Sequence, residues 1–477
     1  MAESLKQRTV SGVIWSAVER FSVQFVQLVV QVIIARILTP EDFGVIGMLA
    51  IFLALAQSFI DSGFSNALIR KTDRTEVDNS TVFYFNIVVG LIAYAVLFWA
   101  APWIAQFYKT PILTPITRFI ALGVFFNSLT IVQRAILTAR VDFKTQAKAS
   151  FVAVVISGAI GIYMAYAGYG VWALAVQAVL NYLVNTAMLW ILTAWKPLWV
   201  FSWDSFKELF GFGSKLLLSG LLDTAFRNIY TIVIGKFFSA ADLGFYTKAS
   251  QLAQLPSSNV TGILQRVTYP LLCDYQNEDE RLRNVYRKYL RLSAYVIFPL
   301  MIGLAAVAEP LIVALLKEQW LGAVLLLQIL CVVMMWYPIH AINLNLLQVK
   351  GRSDLFLKLE IWKKLMATVV LCITLPFGLI WLCLGQIGTS LLSLAINTSY
   401  TGKLIQLGFF KQMKDLVPAM LYSFSMGAIV YWIIQYVDGN ITKVFVGIIV
   451  GVLYYIIIGK ITHSAELRDL QSLIFRK

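Results

Sequence analysis

Fourteen runs of mostly apolar residues follow one another along this chain, each near the roughly 20 residues that a helix needs to cross a bilayer's hydrocarbon core. They fall at about 11–36, 43–66, 80–104, 115–138, 148–167, 170–194, 212–236, 244–268, 289–308, 321–347, 362–378, 380–402, 417–436 and 441–461. In hydrocarbon every backbone N–H and C=O must find its partner inside the segment, so such runs can only be helices. Composition agrees: 59% of the 477 residues are hydrophobic and 13% charged, with a mean hydropathy of +0.76. Soluble domains carry about 45–50% apolar and about 25% charged residues. The surplus of apolar side chains excludes a soluble enzyme and predicts an all-α polytopic membrane protein.

The net charge is +14. In a soluble chain that excess would point to nucleic acid. Beside so many spans it marks loops held on the cytoplasmic side, and no nucleic-acid partner is expected. Loops after even-numbered runs hold Arg70, Lys71 and Arg74; Arg140, Lys144 and Lys148; Lys196 and Lys207; Arg281, Arg283, Arg287 and Lys288; Lys350, Arg352 and Lys358; and Lys403, Lys411 and Lys414. The tail adds Lys460, Arg468, Arg476 and Lys477, whereas loops after odd-numbered runs hold little beyond Lys109, Lys317 and Lys443. This alternation predicts a multi-pass protein with both termini in the cytoplasm and short outward loops. Met1–Val10 is polar, and the first run is too long for a signal peptide and lacks a small-residue cleavage site, so it reads as an uncleaved span. Cys273, Cys331, Cys372 and Cys383 form neither a disulfide framework nor a zinc-like spacing, and no metal site is expected.

The chain also repeats. Ala35-Arg36-Ile37-Leu38-Thr39-Pro40-Glu41-Asp42-Phe43-Gly44 matches Gly235-Lys236-Phe237-Phe238-Ser239-Ala240-Ala241-Asp242-Leu243-Gly244 at an offset of 200. Ala100-Ala101-Pro102-Trp103-Ile104 matches Ala308-Glu309-Pro310-Leu311-Ile312 at 208, and Gly168 matches Gly378 at 210. Anchors in the same order with a slowly growing offset predict two six-helix copies, 1–200 and 201–410, followed by two further helices and a cytoplasmic tail in 411–477. An even number of helices per copy makes the repeats parallel. Transporters built this way hold substrate between the halves and rock them for alternating access.

A charge at mid-helix costs about 2.5–3.5 kcal/mol on insertion scales, so each polar residue inside a run asks for a reason. On the first run Ser16, Arg20, Gln24, Gln27 and Gln31 fall on one helical face. On the seventh, Lys215, Ser219, Asp223 and Arg227 repeat every four residues. The eighth carries Lys248, Gln251, Gln254, Ser258, Thr261 and Gln265, and the second carries Gln57, Asp61 and Ser65. These four are the equivalent helices of the two copies, and their polar faces are expected to line one water-filled cavity between the halves. The competing reading is mutual satisfaction: Asp223 with Arg227 is an ordinary intrahelical pair, and glutamines bond from helix to helix. Arg118 and Arg134 lie nearer helix ends, where snorkelling explains them, and a lone His340 reads as hydrogen-bonded structure. Arg20, Lys215, Arg227 and Lys248 outnumber Glu19, Asp61 and Asp223, so the cavity leans positive and favours an anionic cargo; Arg suits the paired oxygens of phosphate.

At these residues the chain resembles a known family, the polysaccharide-transport branch of the multidrug/oligosaccharidyl-lipid/polysaccharide (MOP) exporter superfamily, the lipopolysaccharide, O-antigen and colanic-acid flippases of Wzx type. The resemblance rests on Ala35–Gly44, on Asp61-Ser62-Gly63-Phe64-Ser65-Asn66-Ala67-Leu68-Ile69-Arg70, on Arg140-Val141-Asp142-Phe143-Lys144, and on Gly168-Tyr169-Gly170-Val171-Trp172-Ala173-Leu174. It extends over about 5–460 and is most specific in the first repeat. It implies a V-shaped transporter of the bacterial inner membrane, with no catalytic residue and no cofactor. That transporter would move undecaprenyl-diphosphate-linked oligosaccharide to the periplasmic leaflet, with a polysaccharide polymerase and assembly proteins as partners. Basic cavity residues for such a cargo would be Arg20, Lys215, Arg227 and Lys248, with Gln24, Gln27, Gln31 and Gln251 for the sugars. Some relatives couple to Na⁺ or H⁺, for which Asp61 and Asp223 are the candidates; the membrane potential is a third driving force.

Two rivals remain. A cation-coupled drug antiporter of the same superfamily wants carboxylates and aromatics in its pocket, and the positive stripes oppose it. A membrane-embedded polysaccharide-assembly enzyme needs positioned acid, base or metal groups, usually on sizeable loops, whereas outward loops here are short. Gly447 and Gly451 could pack a partner helix in a scaffold, although this spacing usually serves internal packing.

Overall fold

The computed structural model describes residues 21–61, 64–71 and 73–474; within helices the side chains of some residues, Lys215 and Ser219 among them, lie outside the description. Arg20, Glu19 and Ser16 therefore fall outside the described residues. Among the described residues the regular structure is helical throughout. The chain separates into two compact units, 1–244 and 245–477.

The first unit holds α1 (Phe21–Ala35), α2 (Pro40–Asp61), α3 (Phe64–Arg70), α4 (Glu76–Tyr108), α5 (Leu113–Ser128), α6 (Ile131–Ala139), α7 (Phe143–Tyr166), α8 (Val171–Leu192), α9 (Trp203–Arg227), α10 (Ile229–Phe237) and the first turn of α11 (Ala240–Asp274). The second holds the rest of α11, then α12 (Asp279–Ala306), α13 (Ala308–Leu316), α14 (Gly322–Met334), α15 (Tyr337–Val349), α16 (Ser353–Thr374), α17 (Leu379–Ile405), α18 (Phe409–Ile434), α19 (Asn440–Ile461) and α20 (Ala465–Ile474). Packing divides the chain at 244 because α9 and α10 lie against α2, α3 and α4. Phe206 and Phe210 of α9 stack with one another and on Phe64 and Phe85. The sequence repeat divides by register at 200, which is a different property from packing.

The repeat leaves structural marks in each unit. The fourth and tenth apolar runs are both broken in two, at Leu129–Thr130 between α5 and α6 and at Met335–Trp336 between α14 and α15. The hairpins α7–α8 and α16–α17 both turn on glycines with positive φ, Gly168 (+83°) and Gly170 (+55°) in one, Gly378 (+103°) in the other. A side chain is strained there and glycine is not. The eleventh run starts earlier than expected: α16 begins at Ser353, not 362, and so draws Lys358 and Glu360 into one helix with Lys363 and Lys364.

Among the described residues ten helical segments, with α5–α6 and α14–α15 each taken as one, are long and apolar enough to cross a membrane. The expected runs that fall short by this measure correspond to α1, α9–α10, α11 and α16. The described part of α1, Phe21–Ala35, is apolar but short; α9 and α11 carry polar stripes and α16 the charges just named, and there polarity lowers the hydropathy. Exposed aromatics ring the helix ends, as amphipathic rings do at a membrane–water boundary. In the first unit Trp99, Trp103 and Phe107 of α4 join Tyr163 and Tyr166 of α7. In the second, Phe377 and Trp381 play the same part, with Trp432 of α18 and Tyr436 just beyond its end.

Helix ends meet their backbone demand through side chains. Thr75 caps the 33-residue α4: Asp78 N donates to Thr75 Oγ1 at 3.2 Å and Thr75 N donates to Asp78 Oδ2 at 2.8 Å. Lys71 bridges Asp78 (3.2 Å) and Glu208 of α9 (2.9 Å); the hydrogen bond to Glu208 holds its ammonium above the usual lysine range. In the second unit Asp415, its side chain 4% exposed, takes Arg287 Nε and Nη2 at 2.7 and 2.6 Å and Arg291 Nη2 at 2.6 Å. That clamp joins α12 to α18, the two helices whose packing dominates this unit. Gly447 and Gly451 face inward, toward Val307 and Val430 and toward Met426, so this spacing serves internal packing.

Candidate functional site

In the first unit, α1 packs through Val30 onto Gly158 of α7, and Val30 and Ile34 are buried. Gln24 and Gln31 are half-buried and Gln27 is exposed. Phe21, Phe25 and Val29, four residues apart, form a separate exposed apolar face. The glutamine stripe is thus a face of its own, neither the core contact nor the greasy side.

On α2, Gln57 Nε2 donates to Asp61 Oδ1 at 3.2 Å, and Ser58 Oγ meets Thr224 Oγ1 of α9 at 3.0 Å. On α9, Arg227 Nε pairs with Asp223 Oδ2 at 2.7 Å. Arg227 is 77% exposed and Asp223 48%, so the pair is solvent-facing and its own contribution to stability is small. Polar faces of α2 and α9 therefore share one side of this unit. Lys215 belongs to the same stripe, but its side chain lies outside the description.

Sequence reasoning read one arginine here as snorkelling. Arg134 of α6 does not snorkel to a helix end; its guanidinium Nη2 donates to Asn185 Oδ1 of α8 at 2.9 Å. Asp61, Arg134 and the Tyr182 hydroxyl lie within electrostatic reach of one another. Asn181 donates to Ser157 at 3.2 Å and Asn185 to Ser150 at 3.4 Å. The signal that would have found this cluster is Gln177, Asn181 and Asn185 at steps of four on a mostly apolar helix. Arg118, by contrast, is held by the Phe98 carbonyl at 3.3 Å and stacks over the Phe98 ring at 4.3 Å.

In the second unit the α11 stripe divides. Lys248 is buried, 6% exposed, while Gln251 and Gln254 are exposed. His340 is bonded on both ring nitrogens, Nε2 to Ser390 Oγ at 3.0 Å and Nδ1 to Asn397 Nδ2 at 3.3 Å. If Asn397 donates to Nδ1, the ring is neutral with its proton on Nε2. Asn343 and Gln412 exchange amide hydrogen bonds at 3.1 and 3.2 Å, and Thr401 Oγ1 donates to Asn343 Oδ1 at 2.8 Å. Nearby on α16, Glu360 and Lys363 form an ion pair. His340→Ala should cost about 1–3 kcal/mol in unfolding free energy by orphaning buried partners, with the pH profile of transport unchanged. A flattened pH profile in that variant would instead mark His340 as a titrating group in the cycle.

One contact joins the two copies of the repeated motif. Thr39 and Asp42 cap α2, with Thr39 Oγ1 to Asp42 Oδ2 at 2.8 Å; Ser239 and Asp242 cap α11 in the same way, at 2.7 Å. The two helix starts cross at their glycines. A Cβ on Gly44 would stand 1.7 Å from the Ala240 carbonyl oxygen, and one on Gly244 would stand 1.9 Å from that of Pro40. The contact is reciprocal: residues offset by 200 meet each other's backbone. Only glycine permits helices to approach this closely.

Among the described residues no group of three or more His, Cys, Asp or Glu could hold a metal ion. Cys331 and Cys383 are buried. What the arrangement offers is binding surface, amide, hydroxyl and guanidinium groups on helices that would otherwise be apolar.

The profile of one protein family, described as polysaccharide biosynthesis protein, matches residues 33–325. The chain belongs to this family. Teichuronic acid biosynthesis protein TuaB of Bacillus subtilis (strain 168) is 28% identical over 365 residues, 74% of this chain and 73% of that protein. Lipopolysaccharide biosynthesis protein WzxC of Escherichia coli (strain K12) is 26% identical over 366 residues, 76% of this chain and 74% of that one. Among solved structures, the inward closed conformation of the lipid II flippase MurJ aligns with a TM-score of 0.79 at 15% identity, over 96% of this chain and 99% of that chain. An inward-facing multidrug resistance MATE family transporter of the MOP superfamily aligns with a TM-score of 0.57 at 15% identity, over 87% of this chain and 96% of that one. At such identities the likeness is one of fold. The fold expected from the motifs, that of the MOP superfamily, is the one found.

Proposed function

We propose that this protein flips a lipid-linked oligosaccharide, carried on undecaprenyl diphosphate, from the cytoplasmic to the periplasmic leaflet of a bacterial inner membrane. It would do so by alternating access, and the oligosaccharide would go into surface polysaccharide. The carrying observation is the coincidence of a flippase fold over 96% of the chain with membership of a polysaccharide biosynthesis family. The relatives TuaB and WzxC, and the succinoglycan transport protein ExoT of Rhizobium meliloti (strain 1021), 24% identical over 321 residues, bear names from polysaccharide biosynthesis.

The physical demand of such a reaction fits the polar helices. Sugar hydroxyls stranded in lipid would each cost several kcal/mol on alkane scales, and Gln24, Gln27, Gln31 and Gln251 supply replacement partners. Arg20, Lys215 and Arg227 would answer the diphosphate, whereas Lys248, expected beside them, is buried. An inside-negative potential assists outward movement of an anionic head by about 2.3 kcal/mol per charge per 100 mV. Coupling to Na⁺ or H⁺ would fall to Asp61 or Asp223, and a polymerase would receive the product. Binding and transport, not bond chemistry, would be the whole of the activity, with both termini in the cytoplasm.

Purified protein in liposomes should move a fluorescent lipid-linked oligosaccharide across the bilayer. Arg20→Ala and Arg227→Ala should each cut the initial rate roughly tenfold, equivalent to about 1.4 kcal/mol, with normal expression. Full activity in both would remove the basic residues from the mechanism. Drug resistance conferred on a host lacking its own exporters, with no sugar movement, would favour the antiporter reading.

A further inference from the structure

The segment between α8 and α9, residues 193–202, is not helical, yet it is held firmly. Leu198 N donates to Ser80 Oγ at 2.9 Å and Ser202 N donates to Thr81 Oγ1 at 3.0 Å, both from the start of α4. Trp195 Nε1 donates to Glu76 Oε2 at 2.6 Å, and its ring packs at 5.7 Å from Phe83. With the backbone satisfied on the inner side, the side chains between those bonds point away. Leu198, Val200 and Phe201 are exposed, Trp203 is 65% exposed and Trp199 94%. Lys196 and Lys207 stand exposed at either end.

A contiguous exposed apolar patch of this kind needs an occupant. Its place supplies one: it hangs from the ends of α4 and α8, both apolar enough to cross a membrane, so it lies at the boundary where hydrocarbon meets water. Tryptophan, with an apolar body and one N–H, favours that layer, and lysines extend from it toward lipid phosphates. We infer that Leu198–Trp203 is a membrane anchor, its rings seated among phospholipid headgroups and its flanking lysines on their phosphates. The connection from the first sequence copy to the second is then fixed twice, to α4 by hydrogen bonds and to the bilayer by its aromatic face.

The test is depth. A spin label is placed at Trp199→Cys, and separately at Trp203→Cys, in a chain whose four cysteines are replaced; the protein is reconstituted in phosphatidylethanolamine–phosphatidylglycerol vesicles. Oxygen should reach both labels several-fold more readily than a water-soluble nickel chelate, and the order should reverse at Glu280→Cys on an exposed helix start. Labels open to the chelate would overturn the inference. So would labels closed to both reagents, which would mean a protein partner or a second copy on the patch. Should the cysteine-free chain not fold, quenching by lipids brominated near the headgroup compares the native chain with Trp199→Phe: the quenchable fraction should fall, and an unchanged fraction would overturn the anchor.

Discussion

Gly44→Val should abolish transport while leaving the protein in the membrane at normal levels. The Cβ would sit 1.7 Å from the Ala240 carbonyl oxygen, where real Cβ atoms essentially never come nearer than 3.0 Å to a neighbour. Overpacking against movable side chains already costs about 1–3 kcal/mol, and here the neighbour is backbone at the capped start of a helix, which has little room to give. We expect a fall of at least roughly tenfold in flipping rate in liposomes, the equivalent of about 1.4 kcal/mol or more. Gly244→Val should match it, because the two glycines meet each other's chain in the same way. Gly220→Ala on α9, with nothing within 4 Å of the added carbon, is the control and should run at the native rate. Wild-type rates in both valine variants would mean that the crossing is not maintained during the cycle.

Asp415→Ala should be the most damaging single change to stability. Its carboxylate is almost fully buried and receives three N–H groups from Arg287 and Arg291. Removing one partner from a buried ion pair costs about 3–5 kcal/mol; since both arginines are over a third exposed, water will recover part of that and about 3 kcal/mol is expected. At about 2–4 °C per kcal/mol for a unit of this size, the unfolding midpoint in detergent should fall by roughly 6–12 °C. Asp415→Asn keeps one acceptor and should lose less. A midpoint within a degree of native for the alanine variant would show the clamp to be ornamental.

The architecture was readable because lipid makes it so. Hydrocarbon tolerates only long apolar helices, and the repeated Ala35–Gly44 and Gly235–Gly244 motifs carried the duplication into the open. Their geometry was hidden: nothing in a string of letters says that residues 200 apart lie on each other's backbone. Side-chain partners were also legible only in part. Asp223 with Arg227 follows from helical spacing, and so the pair formed. Arg134 was misread because its partner Asn185 lies 51 residues away, beyond the reach of local periodicity. Lys248 and Gln251 sit on one turn by sequence, yet one is buried and the other exposed; tertiary packing decides that, and periodicity does not. Glu360, the partner of Lys363, escaped notice because α16 starts before the apolar run that announced it.

The amide pairing of Asn343 with Gln412 bears on leakage. A carrier working against a gradient must not let protons slip through its wall. Hydroxyls and imidazoles pass protons along a chain, but a primary amide donates and accepts without readily handing one on. Two amides locked face to face, 1% and 0% exposed, close the row of polar groups that runs from Ser390 through His340 and the amide of Asn397 to Thr401. The row holds three helices together, α15, α17 and α18, and at its end it is insulated.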